Sequence, residues 1–159
     1  MIIAHPPCTY LSNAGACRLY PRKGQLDIAR YNKGLEAKEF FLNFLSADCE
    51  RIAVENPVHC RVFKMPLYTQ EIQPYQFGHP YSKKTRLWLK GLPALEPTEV
   101  ISNYTPFLPS GTGRKLGGVS YGAKSCPHDS KARSKTFPGI ARAMAEQWAG
   151  NLKRGEKDD

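Results

Sequence analysis

Short buried strands alternating with helices predict an α/β fold with a parallel sheet. Three features carry this expectation. An apolar run, Ile2-Ile3-Ala4, stops at His5-Pro6-Pro7, and a second, Arg51 to Glu55, stops at Asn56-Pro57. Between them, residues 25–47 repeat apolar side chains at helical steps.

The first strand has to end at Pro6-Pro7, because neither proline can donate to a ladder. A loop holding Gly15 and Pro21 follows. In the helix over 25–47, Ile28, Tyr31, Leu35, Leu42 and Leu45 fall at three-, four- and seven-residue steps, with Lys33, Glu36 and Lys38 between them. Gly34 is the one residue there that works against a helix. Glu71 to Tyr75 is expected as a third strand, and Thr85 to Leu89 as a fourth that Gly91 and Pro93 end. Trp88, inside that strand, is expected in the core. Residues 102–135 have no period and are rich in Gly, Ser, Pro and basic side chains, so they read as a long basic loop or insertion. Phe137 to Gly150 reads as a closing helix, with Pro138 in its first turn and Gly150 as its stop. Residues 151–159 read as a disordered tail.

The 159 residues suffice for one domain with a modest core. At 41% hydrophobic and 23% charged, the composition excludes a wholly disordered chain. No apolar run is long enough for a membrane span. The opening lacks a basic start followed by a long apolar stretch, so no secretory signal is expected. Five cysteines at irregular spacings, without a CxxC pair, argue against a disulfide framework and for a reduced, cytoplasmic protein. The net charge of +9 is unevenly placed: residues 82–142 hold 11 basic side chains against 3 acidic. A one-sided basic field attracts polyanions, of which DNA is one; a merely soluble basic loop region is the plain alternative.

In parallel sheets, ligands bind in the crevice beyond the strand carboxyl ends. Cys8 and Glu55 both stand there. A thiol presented by a proline-stiffened loop can act as a covalent nucleophile if its pKa is lowered; the alternative is a small buried apolar cysteine. Glu55 could bond a ring nitrogen and an amino group of a base, or else pair with Arg51 or Arg61 on the surface. Tyr75, Phe77, Tyr81 and Trp88 interleave with Lys83, Lys84 and Arg86, a pattern able to stack unpaired bases. Cys126-Pro127-His128-Asp129, with His79, has poor zinc spacing, so no metal is expected. Gly111-Thr112-Gly113-Arg114-Lys115 does not follow a clear strand and reads as loop rather than phosphate cradle.

Pro6-Pro7-Cys8, with Ser12 four residues on, resembles the Pro-Cys loop of DNA cytosine-5 methyltransferases. Glu55-Asn56-Pro57 resembles that family's Glu-Asn-Val motif, and the run from Phe77 to Arg86 its later Tyr-Gly-x-Pro-Gln-x-Arg-x-Arg segment. Thr136 to Ala145 is similar to the closing Gly-Asn-x-Val-Pro helix. Order and rough spacing agree over most of residues 1–150, and the whole pattern is most similar to small methyltransferase-like proteins of phages and prophages. The resemblance implies one catalytic half-domain over 1–150 with a partial Rossmann-like sheet. It implies that Cys8 attacks carbon 6 of a flipped-out cytosine, that Glu55 holds ring nitrogen 3, and that carbon 5 takes a methyl group from S-adenosylmethionine. Asn56 would orient the Glu55 loop, while Pro7 and Ser12 would shape the turn that meets the base. Lys83 and Thr85 stand at the two arginine positions of the later segment, with Arg86 beside them.

The family's acidic and Gly-rich cofactor motifs precede its Pro-Cys loop, and this sequence opens on that loop's own strand. The resemblance therefore implies a fragment, a complementary chain that supplies the cofactor strands, or a fold that has lost its cofactor. Residues 94–135 are short for a target-recognition domain. Three other functions stay open: a non-catalytic DNA-binding remnant, one half of a split enzyme, and a cysteine-dependent enzyme of free nucleotides.

Overall fold

The computed structural model describes residues 1–107 and 135–149. These fall into two compact units: 1–72 with 84–94, and 73–83 with the residues from 95 onward. Among the described residues the chain is mixed α/β, with a small mixed sheet and two helices of more than one turn.

The first unit is a four-stranded sheet against one long helix. Its strands are β1 (Ile2–Ala4), β2 (Ile52–Pro57), β3 (Gln70–Ile72) and β5 (Thr85–Lys90), in the order β1-β2-β5-β3. β1 and β2 are parallel, with Ile2 opposite Ile52 and Ala4 opposite Val54. The expected all-parallel pairing stops there. β5 runs antiparallel to both neighbours, from Ile52 opposite Lys90 to Pro57 opposite Thr85 on one side, and from Gln70 opposite Leu87 to Ile72 opposite Thr85 on the other. β3 thus runs parallel to β2, with β5 reversed between them. The connection from β3 to β5 holds no long helix, and a parallel crossover requires a dozen or more residues, usually helical.

Parallel β1 and β2 need such a crossover, and α2 (Ile28–Leu45) supplies it, after the single turn α1 (Ala16–Leu19). Asp27 caps α2 by accepting the Arg30 N–H at 2.9 Å. Of the series that the spacing predicts, Tyr31, Leu42 and Leu45 pack against the core, but the fully buried centre of the stripe lies elsewhere. Gly34 and Phe41 are its buried members, with Tyr31 and Ala37 partly covered, whereas Ile28 and Leu35 are 60% and 41% exposed. Apolar side chains lie all round this helix, so the leucines alone do not mark its inner face. Phe41 meets Trp88 edge-to-face at 4.9 Å, in a core with Leu11, Leu19, Ile52, Val54 and Phe63. Trp88 is in that core as expected, and its indole N–H donates to the Pro66 carbonyl at 3.0 Å.

Gly34 is where the sequence works against its own helix, and the packing gives the reason. The Phe63 ring, stacked on Tyr31, lies directly against the Gly34 α-carbon and leaves no room for a β-carbon. We expect Gly34→Ala to destabilise the fold by about 1–3 kcal/mol, because overpacking outweighs the roughly 1 kcal/mol that alanine contributes to helix propensity. Urea unfolding at an unchanged m-value reads this; a variant more stable than the parent contradicts it.

The second unit holds a one-turn helix (Pro74–Gln76), the short parallel pair β4 (Tyr81–Ser82) and β6 (Thr105–Pro106), and α3 (Pro138–Ala149). Ile140, Ala143, Met144 and Trp148 form the buried stripe of α3. The Gln147 amide exchanges two hydrogen bonds with the Glu96 backbone, at 2.8 and 2.9 Å. Gly139 sits against the Phe77 carbonyl with no space for a side chain, and its N–H donates to His79 Nε2 at 2.9 Å. Part of the expected loop, 102–107, thus carries β6. Residues 108–134, which include the Gly111–Lys115 and Cys126–Asp129 motifs, lie outside the described residues, as do Gly150 and the tail 151–159.

Candidate functional site

The carboxyl ends of β1 and β2 lie at the same end of the sheet, because the two strands are parallel neighbours. Ala4 sits opposite Val54, which brings His5 level with Glu55. There His5 Nδ1 lies 3.0 Å from Glu55 Oε2. The tautomer with its proton on Nδ1 donates to this carboxyl group. Neither Arg51 nor Arg61 takes this carboxylate.

One residue further, Asn56 is 1% exposed, and its Nδ2 donates to the Pro6 carbonyl at 3.1 Å. Two consecutive prolines remove the N–H groups that would otherwise tie this segment down, so a side-chain donor does it. Cys8 opens the next turn. Its carbonyl accepts the N–H groups of Leu11 at 3.1 Å and Ser12 at 2.8 Å. The loop is then stitched to the exit of β2: Asn13 N–H donates to the Val58 carbonyl at 2.7 Å, and Cys60 N–H to the Leu11 carbonyl at 2.8 Å. Cys8 is half-buried and in no disulfide. Its loop and the Glu55 strand end are fixed to each other through two side chains and two backbone bonds.

The remaining candidates have distinct places. Pro7 is exposed and lines a shallow cleft. Ser12 is 8% exposed and bridges His59 in antiparallel fashion, which makes it a post of the turn. Thr85 is buried opposite Pro57, on the Glu55 face of the sheet. Arg86 is opposite Asn56, and strand alternation therefore turns it to the other face. Its Nε donates to Glu71 Oε2 at 3.4 Å, its Nη1 approaches His59 Nδ1 at 3.5 Å, and its guanidinium lies 4.4 Å from the centre of the Tyr68 ring. Arg86 therefore does not join Glu55. Lys83 belongs to the second unit, where its ammonium lies 5.8 Å from the centres of the Phe107 and Phe137 rings.

Two protonation states follow from these contacts. Burial, and then the charge of Arg86, hold His59 below its ordinary pKa. Arginine only donates, so His59 is neutral at pH 7 with its proton on Nε2. Burial pushes the Cys60 thiol up, which keeps it a poor nucleophile. Comparison with family models, with curated proteins and with solved structures gives no match. The chemistry of the site therefore rests on its own geometry.

Three groups at this site are not evident from sequence spacing. His5 is visible beside the prolines, but only the β1–β2 register pairs it with Glu55. Arg30 and Tyr10 meet because α2 lies beside the Cys8 turn: Arg30 Nη2 donates to the Thr9 carbonyl at 2.9 Å, and the guanidinium is 5.0 Å from the Tyr10 ring centre. Among the described residues, no cluster of three His, Cys, Asp or Glu side chains could hold a metal, and no helix is long and apolar enough to cross a membrane.

Proposed function

We propose that this protein is a DNA cytosine-5 methyltransferase-like protein in which Cys8 adds to carbon 6 of a flipped-out cytosine. One observation carries the reading: the turn that holds Cys8 and the strand end that holds Glu55 and Asn56 are bonded to each other at one end of the sheet. The strand arrangement gives support. Three strands that share a direction, with a reversed strand inserted before the edge, fit the carboxyl half of a Rossmann-like methyltransferase sheet. The excess of 11 basic over 3 acidic side chains in residues 82–142 fits a DNA partner.

In the addition, the sulfur–carbon 6 bond forms and the carbon 5–carbon 6 π pair shifts towards ring nitrogen 3. That nitrogen takes a proton beside the Glu55 carboxyl group, and the thiol gives one up. Asn56 and Ser12 hold the two loops in register, while Pro7 stiffens the turn. Thr85 lies on the Glu55 face, where its 4% exposure suits a supporting role below the base; Arg86, held by Glu71, braces the sheet, and Lys83 suits a phosphate contact.

S-adenosylmethionine carries a sulfonium and an ammonium, and supplies a methyl cation equivalent when bound. The two clefts beside the Cys8 loop are lined by Arg18, Arg30 and Lys33, with Asp27 and Glu36. Three cations against two carboxylates leave these clefts net positive, which suits a donor of net positive charge poorly, so the proposed reaction ends at the covalent adduct. This lining favours a second reading, a non-catalytic DNA-binding relative of the fold. β1 has one sheet neighbour among the described residues and leaves Ile3 38% exposed, so a complementary chain could add cofactor strands at that edge.

A duplex with 2-pyrimidinone in place of one cytosine tests the reading without any methyl donor. We expect a denaturation-resistant adduct of one protein and one duplex strand, with the modification mapped to Cys8. Binding without an adduct, or an adduct on another cysteine, overturns the enzyme reading.

A further inference from the structure

We propose that the cleft beside the Cys8 loop is a binding site for the DNA strand that flanks the captured base, with a neighbouring base against Tyr10 and its phosphates on Arg18 and Lys33. The proposal rests on the DNA reading above and adds the place and the contacts. Two adjoining clefts, of about 380 and 290 Å³, share Tyr10 and Lys33. The larger is completed by Pro7, Glu36, Ala37 and Phe40, and the smaller by Arg18, Asp27, Ala29 and Arg30.

Charge gives the first argument. Arg18, Arg30 and Lys33 have no carboxylate partner among the described residues, where the ion pairs are His5–Glu55, Lys84–Glu71 and Arg86–Glu71. Asp27 caps α2 through the Arg30 N–H, and Glu36 lines the larger cleft beside Lys33. Three cations against the one carboxylate of Asp27 leave the smaller cleft with an excess of positive charge, a field for an anion, and phosphate is the anion that a nucleic-acid partner brings. The amino end of an 18-residue helix adds the same sign of potential.

Shape and placement give the second. Tyr10 lies two residues after Cys8, with the Arg30 guanidinium 5.0 Å and the Lys33 ammonium 5.7 Å from its ring centre. An aromatic ring flanked by cations is the arrangement that stacks a base and holds its phosphate. Arg30 is the fixed member. Its Nη2 is bonded to the Thr9 carbonyl, and its Nε is buried without a hydrogen-bond partner, so the side chain is clamped under the loop. Arg18 and Lys33 are exposed and available. Base pocket and strand cleft would then share one loop, with Cys8 on one side of Thr9 and Tyr10 on the other.

Fluorescence anisotropy on the 2-pyrimidinone duplex, across a salt series, tests this. Lys33→Glu and Arg18→Glu should each weaken binding about tenfold or more and lower the slope of log affinity against log salt by about 0.9 or more. Tyr10→Ala should weaken it roughly 5- to 150-fold, the range of one lost base stack, while Tyr10→Phe stays near the parent. Lys90→Glu, with the same charge change at the far end of β5, should bind within about twofold of the parent. Parent-like binding by the Lys33, Arg18 and Tyr10→Ala variants, or equal losses in Tyr10→Phe and Tyr10→Ala, overturns the proposal. Absence of a Cys8 adduct with Lys33-dependent binding intact overturns the methyltransferase reading and leaves this site standing.

Discussion

Cys8→Ser abolishes the adduct with the 2-pyrimidinone duplex and leaves duplex affinity within about twofold of the parent. The two side chains are nearly isosteric, and the turn depends on the Cys8 carbonyl, which accepts from Leu11 and Ser12 whatever the side chain. The turn therefore persists while the nucleophile changes. A few per cent of an ordinary thiol is thiolate at pH 7, and thiolate is a strong nucleophile; a serine hydroxyl has no comparable ionised fraction. Cys60→Ser is the matched control, since burial already pushes that thiol up and away from reactivity. It should form adduct as the parent does. Glu55→Gln in the same assay tests the second group: it cannot stabilise a protonated ring nitrogen as a carboxylate does, and the adduct should form about 10²- to 10³-fold more slowly. Retained adduct in Cys8→Ser removes Cys8 from the chemistry. Loss of duplex affinity in the same variant assigns Cys8 to binding instead.

That the Cys8 turn and the Glu55 end of β2 lie at one end of the sheet was legible because it depends on strand ends. Pro6-Pro7 stops β1 by covalent rule, whereas β2 continues through the expected break at Asn56 and ends with Pro57, since pairing with β5 carries it on; a helical stretch between the two makes them parallel neighbours. What sits at those ends then follows without knowledge of side-chain packing. Reversal of β5 was not legible, since a short buried strand reads the same in either direction. Its consequence is large: antiparallel register, with strand alternation, sends Arg86 away from Glu55 and towards Glu71 and His59. The inner face of α2 was hidden for another reason. A glycine creates that face by admitting a ring from elsewhere in the chain, and hydrophobic periodicity gives glycine no weight. Arg30 and Tyr10 needed the docked helix, because a contact across 20 residues leaves no local signature.

Asn56→Asp should carry the largest stability cost of any single-atom change at this site. Asn56 is 1% exposed and contributes one donor, Nδ2, to the Pro6 carbonyl. Its Oδ1 is buried without a hydrogen-bond partner among the described residues. An ionised aspartate would set two acceptors face to face and bury a charge whose cross-strand cation, Arg86, is already engaged by Glu71. The expected cost at pH 7 is about 3–5 kcal/mol, a fall in Tm of roughly 6–20 °C for a chain of this size. The cost should depend on pH, with a fixed sign. Burial raises the pKa of the new carboxyl in the folded state, so its protonated form fits there and can still donate to Pro6. The variant should therefore lie closest to the parent below about pH 4, the unfolded value, and fall away as pH rises towards the folded one. Asn56→Ala leaves only an unpaired carbonyl, at about 1–3 kcal/mol, and has no group to titrate. Thermal unfolding of both variants from pH 4 to pH 8 separates the two effects. Parallel Tm curves for Asp and Ala would mean that the carboxyl reaches water, and that the Pro6 clasp is not what holds the Cys8 loop against β2.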